Sequence, residues 1–286
     1  MNVMKKNYVQ YIVWGLTALL YAPVFLQLYQ SRWEFIDYTH AYFILPISLY
    51  LVWRKRETLS RAVAQPARAS AWGLLLLILG LGLFTIGWRE EYLVVTSFSM
   101  LPVISGILIF NYGAVFLRVL WFPVAYLLFL VPPPLGVLDS VTLPMRYGVS
   151  IVVARLLDLM GYPIVREGLL LDMGGHDIYM GQPCSGFRSL ITLLALGVVY
   201  IYTLKGRAGK KIFMSAFIIP FALFGNVIRV MLLCFITYYL GHEMAEGVLH
   251  DLSGIVMFVI LILCLIGLEQ LIDRKRGGSR EQGERP

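Results

Sequence analysis

Apolar runs closed by short basic or polar clusters constrain this chain more than any other feature. Residues 8–29, 40–53, 72–88, 92–110, 114–131, 185–204, 212–233 and 250–272 are the runs, and several approach the ~20 residues that a helix needs to cross hydrocarbon. Inside lipid a backbone must satisfy its own hydrogen bonds, so such runs become helices. A mean hydropathy of +0.75, with 59% hydrophobic residues over 286, is too apolar for an ordinary soluble domain. The expected fold class is an all-α polytopic membrane protein of about eight transmembrane helices, in one integral domain over residues 1–272.

The distribution of charge orients these spans. Cytoplasmic loops collect Lys and Arg, and an eight-span path with both termini cytoplasmic puts 17 of the 24 basic residues inside but only five of the 17 acidic ones. The basic clusters 54–56, 205–211 and 274–276 all fall on that side. A net charge of +7 thus reflects membrane orientation, and no nucleic-acid partner is expected. The first run comes after two lysines with no small-residue cleavage site, which predicts an uncleaved span. Residues 273–286 read as a polar, disordered cytoplasmic tail.

Residues 132–183 lack a clean span. Pro132-Pro133-Pro134 cannot continue a helix, and Asp139, Pro144, Arg146, Arg155, Asp158 and Pro163 interrupt the stretch beyond it. The expectation is an extracytoplasmic insertion: broken helices at the membrane interface, then a β-hairpin over 168–179 turning at Met173-Gly174-Gly175. That hairpin leads to Gln182-Pro183-Cys184-Ser185, where a loop becomes an apolar helix.

Cys184 is the distinctive thiol. At a helix start it meets the positive end of the helix dipole, which favours the nucleophilic thiolate. Cys234 and Cys264 lie within apolar runs, and three cysteines make no paired framework. Arg229 lies 18 residues beyond Lys211, about 27 Å of helix at 1.5 Å per residue, and so approaches the outer surface. His250 opens the last span on the same side. Thiol, guanidinium and imidazole supply a nucleophile, a permanent cation for an oxyanion or thiolate, and a proton carrier. Asn226, a turn before Arg229, could orient it, and Arg188, a turn after Cys184, could support the thiolate. Two other readings remain open at this point. One is a transporter or scaffold with a polar pathway lined by Asn226, Arg229 and His250. The other is a zinc protease, for which His242-Glu243-Met244-Ala245-Glu246 lacks the second histidine of His-Glu-x-x-His and would need His242, Glu246 and His250 together.

With these residues in view, the chain resembles the exosortase and archaeosortase family of membrane-embedded cysteine transpeptidases. Cys184-Ser185-Gly186-Phe187-Arg188-Ser189 resembles the family's Cys-Ser-Gly-x-x-Ser signature, Asn226-Val227-Ile228-Arg229 its Asn-x-x-Arg element, and His250 its downstream histidine. His40, Leu45-Pro46 and Arg54-Lys55-Arg56 resemble its upstream pattern, with Ala41 where a glycine is usual. The resemblance covers residues 35–265. It implies Cys184, Arg229 and His250 as the catalytic set, with Arg188, Ser189, Asn226 and His40 in supporting or substrate-binding places and neither metal nor cofactor. It also implies the bacterial inner membrane, with the site at its extracytoplasmic face. The substrates would be exported proteins ending in a Pro-Glu-Pro motif, a transmembrane helix and a basic tail. The motif glutamate would meet Arg188 or one of Arg146, Arg155 and Arg166, and a thioester on Cys184 would be resolved by water or by an amine on a glycan or lipid.

Overall fold

The computed structural model describes residues 2–33, 41–63, 70–133, 135–179, 187–241 and 248–282. Its contacts divide the chain into two compact units, Met1–Pro134 and Leu135–Pro286. Among the described residues five helical stretches are long and apolar enough to cross a membrane: Tyr8–Ser31, Ala71–Arg89, Leu93–Tyr112, Ala208–Leu240 and Ile255–Arg274. Three shorter apolar helices, Ala41–Arg54, Ala114–Leu130 and Ile191–Thr203, stand where the second, fifth and sixth spans are expected. The polytopic all-helical class therefore holds. Large exposed side chains such as Trp72, Leu75, Ile86, Val259 and Leu263 are the faces that lipid covers.

The first unit contains α1 (Asn2–Leu28, extended by a π turn Tyr29–Trp33), α2 (Ala41–Arg54), α3 (Arg56–Val63), α4 (Ala71–Arg89), α5 (Leu93–Phe98), α6 (Met100–Tyr112) and α7 (Ala114–Tyr126), with a 3-10 turn at Leu127–Leu130. Its centre is the pairing of α4 with α5 and α6. Gly73, Gly80 and Gly87 recur every seven residues, two helical turns, and so share one face of α4. A Cβ at Gly73 would lie 2.5 Å from the Phe110 backbone N, one at Gly80 2.7 Å from that of Val103, and one at Gly87 2.6 Å from that of Thr96. Gly106 of α6 answers from the other side, 2.6 Å from the Leu77 N. Between apolar helices in lipid, close backbone approach of this kind supplies van der Waals packing that burial from water cannot. Two hydroxyl contacts add directional ties. Tyr21 and Ser99 meet at 2.7 Å, and Ser48 Oγ donates to the Pro123 carbonyl at 2.9 Å.

The second unit begins with α8 (Leu135–Leu159) and a three-stranded antiparallel sheet, β1 (Ile164–Glu167), β2 (Leu170–Met173) and β3 (Asp177–Tyr179), in the order β1-β2-β3. It continues through α9 (Phe187–Thr203), α10 (Ala208–Ala216), α11 (Ile218–Leu240) and α12 (Val248–Gln282). The expected hairpin is present, pairing Leu171 with Ile178 and Asp172 with Asp177, and β1 adds a further strand. Its turn is fixed by Gly174 and Gly175 at φ 64° and 87° and by Gly175 N–H donating to Asp172 Oδ1 at 2.8 Å. Alternation puts Leu171, Met173 and Ile178 on the buried face, where they join Val149, Val153 and Leu157 of α8 and Val230 and Cys234 of α11.

Four boundaries differ from the sequence expectation. The first half of the 132–183 insertion is one 25-residue helix, α8, instead of several broken pieces. Val149, Val153 and Leu157 form a stripe that α11 and the sheet cover, while the interrupting Arg155 and Asp158 are exposed on other faces. The seventh span does not end near Leu233, because α11 runs to Leu240 with Thr237 buried at 2% exposure. The tail expected to be disordered is helical through Gln282, as a continuation of α12. Lys210, assigned by sequence to a loop, is the third residue of α10 and only 4% exposed. Its Nζ donates to Glu269 Oε1 at 3.1 Å and to both Asp273 oxygens at 2.8 and 2.9 Å, while Tyr200 O–H donates to Glu269 Oε2 at 2.8 Å. Lys210 of α10 and Tyr200 of α9 thus meet on Glu269 of α12.

Candidate active site

The buried face of α11 organises the candidate site. Its buried residues include Ala222, Asn226, Arg229, Leu233 and Thr237, a stripe at helical spacing. Leu223, Val227, Val230 and Cys234 border it on one side and pack toward α8 and the sheet. Gly225 borders it on the other, where a Cβ would lie 3.0 Å from Met257 Cγ of α12. Asn226 and Arg229 therefore lie on the inward stripe between the α8 and α12 contacts, each 6% exposed.

Two close approaches set the level of neighbouring helices against Arg229. α9 runs antiparallel to α11, and a Cβ at Gly197 would lie 3.0 Å from Ile218 Cγ2. Ten residues further along each, about 15 Å at 1.5 Å per residue, Phe187 comes level with Ile228 and Arg229. α12 is also antiparallel to α11, meeting it at Gly225 and Met257. Counting seven residues back along α12 and seven on along α11, about 10 Å, brings His250 level with Leu232. The first turn of α9, Arg229 and the first turn of α12 thus share one end of the second unit, within about one turn of each other.

The individual candidates differ in how far the structure places them. Cys184 lies outside the described residues, three positions before α9. Arg188 and Ser189 are the second and third residues of α9 and His250 the third of α12, and their backbones but not their side chains are described. His40 lies outside the described residues, one position before α2, as do His242 and Glu246 of the zinc alternative. Asn226 Oδ1 is buried and accepts no hydrogen bond, so Arg229 does not donate to it, and any orienting of Arg229 by Asn226 does not pass through that oxygen. Cys234 is a buried cysteine outside any disulfide in the α8–α11 core, and Cys264 is partly buried on α12.

The three loop arginines, equivalent in sequence, differ in place. Arg146 is half-buried on α8, its Nη2 donating to Thr142 Oγ1 at 3.1 Å. Arg155 is exposed, and Arg166 is exposed with Nη1 donating to the Gly168 carbonyl at 2.8 Å. Met145, the residue before Arg146, packs against the cluster that contains Leu193 of α9 and Ala222 of α11. Arg146 is therefore the one of the three whose neighbour in sequence packs at that cluster, and the one that is half-buried. A helical period of apolar residues, 145, 149, 153 and 157, was the sequence signal for this placement.

A family model described as transmembrane exosortase (Exosortase_EpsH) matches residues 33–267. The match spans both units and every candidate residue. No curated protein and no solved structure matches the chain. Buried Asn226 and Arg229 on one stripe, with the starts of α9 and α12 at their level, sit inside that matched region, and the chain belongs to the transmembrane exosortase family.

Proposed function

We propose that this exosortase is a cysteine protease or transpeptidase that removes the C-terminal sorting tail of exported proteins through a thioester on Cys184. The observation that carries the reading is the common level of Arg229, the first turn of α9 and the first turn of α12. Residues far apart in sequence, all in elements of one compact unit, thereby come to one end of a helical core.

The Cys184 thiolate attacks the scissile carbonyl, and the tetrahedral oxyanion is held by the Arg229 guanidinium, which stays charged at all working pH values. Collapse breaks the carbon–nitrogen bond, and the leaving amine takes its proton from His250. The tail departs and an acyl thioester remains. Water or an amine then loses a proton to His250, attacks the thioester carbonyl, and releases the Cys184 thiolate. The tail's helix suits a bilayer-embedded site, and its basic end would remain at the cytoplasmic face. Arg146, half-buried and next in sequence to Met145 at the α9–α11 cluster, is the arginine best situated to receive the acidic residue of a Pro-Glu-Pro motif. The site then lies at the extracytoplasmic face of the bacterial inner membrane.

The test is co-expression with a tail-bearing substrate and an acid quench. Wild type should accumulate a hydroxylamine-sensitive adduct at Cys184. Cys184→Ala should insert normally and cleave nothing, while Cys234→Ala and Cys264→Ala cleave at the wild-type rate or lose only stability. Full cleavage by Cys184→Ala ends the cysteine mechanism, and loss of cleavage with chelators and with His242→Ala would favour zinc. A transporter or scaffold would form no adduct.

A further inference from the structure

The geometry points to Asn226 as a substrate-binding residue whose side-chain oxygen accepts a hydrogen bond from a backbone N–H of the peptide being cleaved. This rests on the cysteine-protease reading and adds to it the group that aligns the substrate chain.

Three observations lead there. Asn226 is 6% exposed, in an α11 segment where Arg229 and Thr237 are the other buried polar residues, and its Oδ1 is buried with no hydrogen-bond partner. Buried polar atoms are nearly always paired, and one that is not calls for an explanation such as a partner that arrives with a ligand. Second, Asn226 does not face lipid. It shares the inward stripe with Ala222, Arg229 and Leu233, while Phe224 marks the lipid side at 53% exposure. Third, it lies one turn from Arg229, the residue that the reaction uses to hold the oxyanion. An acceptor at that distance from an oxyanion cation matches the spacing of a peptide chain, in which a carbonyl and a neighbouring N–H lie a few ångströms apart. The orphaned oxygen requires a donor. The proposed substrate is a peptide entering an apolar medium, so its backbone N–H groups require acceptors in turn, and pairing the two removes both penalties.

This assigns division of labour within the Asn-x-x-Arg element. Arg229 acts on the carbonyl oxygen and Asn226 on the N–H of an adjacent amide on the same side of the extended chain, so the two residues align the substrate backbone. Arg229 works on developing charge, whereas Asn226 works on the ground state and transition state alike. Loss of Asn226 should therefore raise KM more than it lowers kcat.

A four-way comparison with purified full-length protein in detergent tests this. The substrates are a synthetic tail peptide and analogues in which each backbone N–H flanking the scissile bond is replaced in turn by an ester oxygen. The proteins are wild type and Asn226→Leu, with Asn226→Ala alongside should the leucine variant not fold. Wild type should cleave one ester analogue about tenfold to a hundredfold less efficiently than the parent peptide, the range expected when a hydrogen-bonded group loses its partner. Asn226→Leu should lose a comparable factor on the parent, mostly in KM, and discriminate no further against that analogue, because the interaction is already gone. Wild-type kcat/KM in the Asn226 variants would overturn the assignment. So would an undiminished ester penalty in those variants, since another group would then hold the N–H. If Cys184→Ala cleaves the parent peptide as wild type does, it is the cysteine reading that falls. Cleavage by wild type with no effect at position 226 removes only the role of Asn226.

Discussion

Removing the Lys210 ammonium offers a sharp check on how the second unit is held together. Lys210→Met keeps the aliphatic stem in place and deletes the charge. In the native structure Nζ makes contacts of 3.1 Å to Glu269 and 2.8 Å to Asp273, with side-chain exposures of 3% for Lys210, 23% for Glu269 and 56% for Asp273. Breaking a fully buried pair by deleting one partner costs about 3–5 kcal/mol, because a charge is stranded. An exposed pair contributes only about 0–1 kcal/mol. The Glu269 arm is closer to the first case and the Asp273 arm to the second, so the variant should lose about 2–3 kcal/mol. For a unit of this size that corresponds to a fall of about 4–12 °C in Tm. Thermal unfolding of the full chain in one detergent, monitored by circular dichroism, reads the effect. Adding Glu269→Gln to Lys210→Met should recover part of the loss, since the stranded carboxylate is removed while an oxygen remains for the Tyr200 hydroxyl. A loss of less than about 2 °C for Lys210→Met, smaller than the lower end of the expected range, would refute the reasoning. A further fall in the double variant would refute it equally.

Particular contacts carry other consequences. Gly80→Leu should destabilise the first unit by about 1–3 kcal/mol or more, since overpacking against backbone cannot be relieved by one rotamer change, whereas Gly82→Leu, where a Cβ meets nothing within 4 Å, should unfold at the wild-type temperature; equal Tm values for the two would dismiss the glycine stripe. Arg229→Lys should fold and insert yet lose about a hundredfold or more in cleavage, as removal of an oxyanion donor does, because an ammonium lacks the planar fork; cleavage at the wild-type rate would remove that role. Reporter fusions after Lys210 and Arg276 should read cytoplasmic and fusions at Gly174 extracytoplasmic, and a cytoplasmic signal at Gly174 would invert the proposed face.

The amino-acid sequence by itself determined that this chain is a polytopic helical membrane protein, because the hydrocarbon layer imposes length and apolarity on every span and both are visible in one dimension. It also determined the hairpin turn, since Gly174-Gly175 supplies the positive φ that the reversal needs. The candidate residues were legible for a chemical reason: Cys184, Asn226, Arg229 and His250 are polar groups at or within apolar runs, and polarity there stands out. Packing was not legible. In lipid both the covered and the uncovered faces of a helix are apolar, so hydrophobicity does not mark which face of α4 or α11 meets a neighbour. Only the tertiary structure decided that Gly73, Gly80 and Gly87 form a contact face while Gly82 does not. Only it decided that α8 is one helix, with Val149, Val153 and Leu157 covered by α11 and the sheet and Arg155 and Asp158 exposed off that stripe. Lys210 illustrates the same limit for charge. Its sequence neighbours make it one more cation of a basic turn, and its burial depends on Glu269 and Asp273, about sixty residues away in sequence, whose approach is set by the antiparallel packing of α11 and α12.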